Sequence, residues 1–241
     1  MPKFGMLAIL ITLTCAKLSF ADNITLGTSN APPYMIKESD SGIDIEIAKT
    51  VLEKMGHKVT IKYFSLHRAK TELEEKKIDA MVPLFSSAES DKIHVSDSHV
   101  LYRPTAFSIK GKQLEVNSLQ DLKKYRVMTF QGAKGYFGPE FQEIANQAKS
   151  YKEHFDMTKL VMLLYRQRTD IVLLDYNIFH YYLKDINFKK KVDILEVHEI
   201  LPRVPAVVGF NNKKLRDQFN EELKKLYDDG TQRSIINKYI K

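Results

Sequence analysis

The sequence predicts an α/β protein of two lobes, each built on a mostly parallel sheet flanked by helices. Residues 42–85 contain a helical pattern, a strand, a second helix and another strand without a break. The same alternation returns over residues 126–175. Parallel strands are joined by helical crossovers, so this alternation is typical of parallel sheets. The 241 residues are enough for two such lobes with a ligand cleft between them.

The first unit shows how each element is predicted. Apolar residues recur every fourth position at Ile43, Ile47 and Val51, which gives a helix one apolar face that must pack on something. Gly56 ends this helix, as an achiral residue after the last turn can. The short apolar run at residues 78–82 is typical of a strand buried on both faces. Ligands of such sheets bind beyond the carboxyl ends of the strands, so we look for a site at residues 83–87.

The remaining elements follow from the same criteria. A glycine-rich loop is predicted at residues 131–138, followed by a helix with Pro139 in its first turn. Further strands are predicted at residues 24–28, 59–64, 126–130, 170–175, 192–197 and 205–210, an extended segment at 101–109, and helices at 66–77, 139–149, 156–167, 176–184 and from 215 to 239 with a break at 229–231.

The first 21 residues have the pattern of an export signal. Lys3 gives a positive start, and residues 6–16 form an apolar run too short to span a bilayer. Ser19 and Ala21 are small residues at the two positions that a signal peptidase recognises before its cleavage site. We therefore expect cleavage after Ala21 and a soluble, periplasmic mature protein.

The only cysteine, Cys15, lies inside this leader. The mature chain is therefore expected to have no disulfide, no thiolate nucleophile and no cysteine-bound metal. A lipid anchor at Cys15 is the alternative to cleavage after Ala21. It is disfavoured because Thr14 is a poor residue to precede a modified cysteine.

The distribution of charged residues and histidines argues against nucleic acid and metal ions as partners. The formal charge of +7 is spread along the chain, with lysines often beside acidic residues, as on a solvated surface. The run of lysines at residues 189–191 is too short to be the basic stripe with interleaved aromatics that nucleic-acid binding requires. Asp91, His94, Asp97 and His99 match no established spacing of metal ligands. We expect no nucleic acid, no metal and no cofactor.

Six short segments occur in an order and spacing that resemble the bacterial extracellular solute-binding proteins of family 3. The resemblance covers about residues 23–239. The segments are Ala31-Pro32-Pro33-Tyr34, Gly42-Ile43-Asp44-Ile45-Glu46-Ile47-Ala48, Lys77-Ile78-Asp79-Ala80, Ser118-Leu119-Gln120-Asp121-Leu122-Lys123, the acids Asp170 and Asp175, and Asp229-Gly230-Thr231 with Lys238-Tyr239.

The resemblance implies the two-lobed type II periplasmic binding protein fold. Lobe 1 would comprise residues 22–105 and 208–241, and lobe 2 residues 106–207. Two extended crossings, near residues 105–107 and 205–207, would form the hinge.

The chain also departs from the pattern of amino-acid receptors in this family. Those receptors carry an arginine shortly after the position of Phe85, which grips the α-carboxylate of the ligand with two parallel hydrogen bonds. Residues 86–91 contain no arginine, and Ala133 replaces a threonine that also contacts the carboxylate. Asp175, at the position that receives the α-ammonium group, is kept. The resemblance therefore implies a cleft for a cationic or amine group, which need not belong to an α-amino acid.

Three charged residues are candidates for ligand contact. Asp175 is the negative pole, with a helix cap as its alternative role. Arg68 is the candidate partner for an anionic ligand group, and its alternative is an ion pair with Glu72 one helical turn away. Lys134 is a second candidate cation, with a solvated loop lysine as the alternative.

The other candidates are aromatic or small. Phe85 and Tyr136 would be aromatic walls for the ligand, with core packing as the alternative. Tyr34 would close lobe 1 and edge the site. Ser86 offers a hydroxyl at a strand end, and Gly132 begins the loop that carries Lys134.

We therefore expect a monomeric solute-binding protein that closes on a small polar ligand without catalysing a reaction. It would pass the solute to a membrane permease for uptake or report it to a sensor kinase. The alternatives are an enzyme on the same scaffold, such as a dehydratase, and a ligand-sensing partner of a membrane receptor.

Overall fold

The chain folds into two mixed β-sheets, both flanked by helices. The computed structural model describes residues 22–185 and 194–240, so the predicted signal peptide with Cys15, the lysine run and the start of the strand predicted at 192 lie outside the described residues. The strands are β1 (Asn23–Thr28), β2 (Lys58–Tyr63), β3 (Ala80–Phe85), β4 (His94–Val95), β5 (Val100–Tyr102), β6 (Pro104–Ile109), β7 (Arg126–Phe130), β8 (Ser150–His154), β9 (Ile171–Asp175), β10 (Leu195–His198) and β11 (Val204–Phe210).

Seven α-helices connect or cover these strands. They are α1 (Ile43–Lys54), α2 (Leu66–Glu74), α3 (Ala133–Gln147), α4 (Met157–Tyr165), α5 (Tyr176–Asp185), α6 (Lys213–Asp228) and α7 (Thr231–Tyr239) within the described residues. None of these helices has both the length and the apolar content of a membrane span.

Each of the two sheets contains three neighbouring parallel strands together with antiparallel strands. The first sheet has the order β2-β1-β3-β11-β4, with β5 also paired to β11. The second has the order β10-β6-β9-β7-β8. The sets β2-β1-β3 and β9-β7-β8 are parallel, whereas β11 and β6 run antiparallel to their neighbours. This is the predicted α/β class with two sheets.

The chain passes between the sheets at Arg103 and again through residues 199–203. The segments expected to be crossings, 105–107 and 205–207, lie instead within β6 and β11. Each of them is paired to strands of its own sheet, so its backbone is held by ladder hydrogen bonds. The residues that join the two sheets without strand pairing therefore lie just before these strands.

Three elements differ from the sequence expectations. β3 continues through Pro83 to Phe85, because a bulge leaves Val82 and Pro83 opposite a single residue of β11, and proline is tolerated at bulges. The expected loop at 131–138 is the first part of α3, which a non-helical residue, Gly138, interrupts. β8 was not predicted, since its sequence Ser-Tyr-Lys-Glu-His lacks apolar alternation.

Apolar packing fixes α1 against the first sheet. Ile43, Ile47 and Val51 are fully buried, as the fourfold repeat predicts. Gly42, just before the helix, has φ 113° and ψ 164°, a conformation open almost only to glycine. A Cβ atom there would lie 2.4 Å from the carbonyl oxygen of Tyr34. The turn that brings residue 34 under α1 therefore requires glycine.

We predict that Gly42→Ala lowers the free energy of unfolding by at least about 1–3 kcal/mol, because the alanine would be strained and would clash with backbone. Urea unfolding followed by circular dichroism measures this. Gly111→Ala is the matched control, since no atom lies within 4 Å of the added Cβ. Equal stability of the two variants would contradict the interpretation.

Candidate functional site

A cavity of about 290 Å³ lies between the two sheets. The ends of β3, β7 and β9 and the loop after β1 contribute to its wall, which is the strand edge where ligands of α/β sheets bind. One water occupies about 30 Å³ in the liquid, so the volume corresponds to a ligand of amino-acid size. The lining residues are Ser29, Asn30, Ala31, Met35, Phe64, Ser65, Leu66, Pro83, Phe85, Tyr102, Pro104, Phe130, Gln131, Tyr136, Phe137, Phe155, Met157, Leu174, Asp175 and Ile178.

Among the described residues that line the cavity, Asp175 is the only charged one. It ends β9 and is 7% exposed. Its Oδ2 accepts the backbone N–H of Arg103 at 2.6 Å, and its Oδ1 accepts the N–H groups of Asn177 at 2.8 Å and Ile178 at 3.2 Å. The carboxylate therefore caps α5 and faces the cavity, so both roles considered from the sequence are compatible.

Burial raises the pKa of Asp175 to about 6, against the hydrogen bonds from Arg103, Ile178, Asn177 and Tyr34, which lower it. The ordinary value is 3.8. Near neutral pH the carboxylate is thus ionised, yet it keeps a desolvation cost that a cation in the cavity would relieve.

Aromatic rings from both sheets form the walls. The ring centroids of Phe85 and Tyr136 are 4.7 Å apart in an edge-to-face arrangement, and Phe130 lies 5.3 Å from Tyr136. Phe155, at the mouth, is 74% exposed. These rings offer planar apolar surface and cation–π contact to a ligand.

Tyr34 lies behind the wall and connects the sheets. It is fully buried, and its ring centroid is 4.2 Å from that of Tyr102. Its hydroxyl accepts a hydrogen bond of 2.8 Å from the Asn177 side chain on α5. Tyr34, which was expected to edge the site, is therefore not part of the cavity wall and contributes a contact between the sheets.

A buried polar cluster fixes Tyr102 in the wall. The Tyr102 hydroxyl donates to Asp44 Oδ2, and Asp44 Oδ1 lies 3.0 Å from His99 Nε2. Asp44 and His99 have no exposed surface. His94 contacts Glu89 instead, and within residues 22–185 and 194–240 no three His, Cys, Asp or Glu residues are arranged to hold a metal ion.

A carboxylate already occupies the start of α3. Glu153 Oε2 accepts the N–H of Gly132 at 2.8 Å, and Oε1 accepts the N–H of Lys134 at 3.2 Å and the hydroxyl of Tyr151 at 2.6 Å. Gly132 directly follows Gln131 in the cavity wall. Two backbone donors near the cavity are therefore bonded to an anion of the protein itself.

Five sequence candidates do not line the cavity: Tyr34, described above, and Arg68, Lys134, Ser86 and Gly132. Arg68 has a side chain that is 59% exposed and pairs with Glu72, its alternative role. The Lys134 ammonium donates to Asn146 at 2.7 Å and lies 4.9 Å from the Tyr151 ring. Ser86 is exposed, and Gly132 contributes its N–H to Glu153. Hence no cation lines the cavity within the described part of the chain.

The structure adds residues that the sequence reasoning missed. Asn30 and Gln131 bring amide side chains to the wall, and Tyr102 and Phe155 bring aromatic rings. Asn30 and Gln131 each follow a strand, so the rule that led to Phe85 would also have found them. Phe155 could not be found in this way, because it follows the unpredicted β8.

Comparisons with known proteins agree with this geometry. The family model for bacterial extracellular solute-binding proteins, family 3, matches residues 24–241. The arginine-binding extracellular protein ArtP of Bacillus subtilis (strain 168) is 23% identical over 225 residues, which cover 90% of this chain and 86% of ArtP.

Two solved structures show the same fold. A substrate-binding protein of an ABC uptake transporter from Streptococcus pneumoniae with bound histidine has a TM-score of 0.74 and 22% identity, covering 90% of this chain and 92% of its own. The GluR0 ligand-binding core with L-glutamate has a TM-score of 0.76 and 16% identity, covering 93% and 100%.

We predict that the affinity for a simple amine, such as agmatine, rises with pH through about 6 and then levels off. Below about 6 the raised pKa leaves Asp175 neutral, so each unit of lower pH weakens cation binding by up to about tenfold. Calorimetry between about pH 5 and 7.5 measures this. Asp175→Asn should bind weakly with no such step, and a flat profile in the unmodified protein would refute the assignment.

Proposed function

Because the chain belongs to the bacterial extracellular solute-binding proteins of family 3, we propose that it binds a small ligand bearing a positively charged amine, with Asp175 as the counter-charge. The observation that carries this proposal is the charge of the cavity: one buried carboxylate and no cation among its described lining residues. The aromatic rings would hold the apolar part of the ligand. No bond is made or broken.

A ligand with its own carboxylate fits this cavity poorly. Burying a charge without a partner is costly, and the wall offers amides, hydroxyls and aromatic rings but no cation. The backbone N–H groups of Gly132 and Lys134 are bonded to Glu153. The relatives named for amino-acid ligands share the fold, whereas the charge pattern favours an amine without the α-carboxylate.

Binding would act through closure of two lobes that follow the two sheets. Lobe 1 would comprise residues 22–105 with the C-terminal part from about 208, and lobe 2 the segment between. Because Pro104–Ile109 pairs within the second sheet and Val204–Phe210 within the first, the two boundaries would be nearer 103 and 203. A ligand that contacts both sheets shifts the population towards the closed form.

The biological setting extends this proposal. The extracellular family agrees with export, and we propose a periplasmic, monomeric protein cleaved after Ala21. Its partner would be a permease for uptake or a sensor kinase for signalling, which neighbouring genes would distinguish.

Asp175→Asn should weaken amine binding by about 1–3 kcal/mol, the scale for a charged hydrogen bond lost in a buried site. Calorimetry measures the loss. Asp121→Asn is the control, since Asp121 also accepts backbone N–H groups at a helix start but does not line the cavity. Unchanged affinity in Asp175→Asn would remove Asp175 from the site.

Amines should stabilise the protein more than the L-amino acids from which they differ only by the carboxylate. A thermal-shift screen with agmatine and arginine, cadaverine and lysine, and tyramine and tyrosine measures this, because ligand binding to the folded state raises the melting temperature. A larger rise with any amino acid than with its amine would refute the argument from the missing cation.

A further inference from the structure

We propose that Glu153 is a specificity-determining residue, whose carboxylate occupies two backbone donors beside the cavity wall that a ligand carboxylate could otherwise use. It would thereby restrict the ligands to amines that carry no acid group. This inference rests on the proposed function, because it concerns the same cavity. Nothing in the sequence pattern singled out Glu153, since β8 was not predicted.

The position of Glu153 supports this role. It is the penultimate residue of β8, two positions before Phe155 in the cavity wall. Its oxygens bind the N–H groups of Gly132 and Lys134, which stand between the wall residues Gln131 and Tyr136 in the chain. The filled donors therefore belong to the same segment that lines the cavity.

Glu153 stays ionised in this setting. Burial raises the pKa of Glu153, but hydrogen bonds from Tyr151, Gly132 and Lys134 outweigh that effect and hold it below its ordinary value. All three donors of these bonds favour the charged form.

The charge of Glu153 has no ammonium group bonded to it. The Lys134 side chain is directed to Asn146 and lies against the Tyr151 ring. No ion pair of Glu153 occurs among the described residues. A ligand carboxylate that approached Gly132 would therefore meet a like charge and two occupied donors, whereas an amine would not.

The test compares agmatine with arginine, which differ by one carboxylate, using calorimetry on the mature protein and two variants. Glu153→Gln removes the charge and keeps an oxygen that can accept hydrogen bonds, and Glu153→Ala also frees the donors. The expected result is a preference for agmatine in the unmodified protein that falls by about tenfold or more in Glu153→Gln. Agmatine affinity itself should change by less than about threefold.

Glu143→Gln is the matched control. Glu143 lies on α3 and accepts a hydrogen bond from the Gln147 side chain, so the variant makes the same charge change on a helix of the same lobe, away from the N–H groups of Gly132 and Lys134. The ratio of the agmatine affinity to the arginine affinity separates specificity from stability, because a merely structural loss would weaken the binding of both ligands alike.

Each outcome decides the question. The role of Glu153 would be overturned if the agmatine-to-arginine affinity ratio were unchanged in Glu153→Gln. It would also be overturned if this ratio fell equally in Glu143→Gln. In both cases the proposed function would stand. Failure of the unmodified protein to bind any amine of the screen would overturn both. If Glu153→Ala does not fold, the ratio in Glu153→Gln decides.

Discussion

The passage of the chain between its two sheets is the constraint on which the cavity depends. The backbone of Arg103, in the first crossing, donates to Asp175, and its guanidinium lies 4.1 Å from the centroid of the Tyr176 ring and pairs with Glu199 in the second crossing. Both crossings and the end of β9 thus meet at one place. The charge that would hold the ligand is therefore bonded directly to the residue at which the chain first passes between the sheets.

The low polarity of the cavity gives this single charge its influence. A carboxylate in water interacts weakly with a cation because the solvent screens it, but in a partly desolvated site the same pair attracts several times more strongly. The aromatic rings exclude water and provide contact area without adding charge. Binding of a cation therefore recovers part of the free energy that burial of Asp175 costs.

The sequence could predict those parts of the fold that depend on local pattern. The repeat at Ile43, Ile47 and Val51 located α1, and strand ends led to Phe85 and Asp175. The polar edge strand β8 has no such pattern, because only one of its sides is paired, and with it Glu153 was missed. The Arg68–Glu72 pair was weighed as a local alternative from the spacing of the two residues, whereas the contact of Lys134 with Asn146, twelve residues away, has no such spacing rule.

Asp175 both caps α5 and faces the cavity, which has an evolutionary consequence. One oxygen holds the first turn of α5, so replacing this residue to change the ligand also weakens a helix. Inherited variation at that position is thereby penalised twice. New solute preferences would arise more readily at an amide position such as Gln131, which caps no helix, so related lineages should diverge there while retaining the acid.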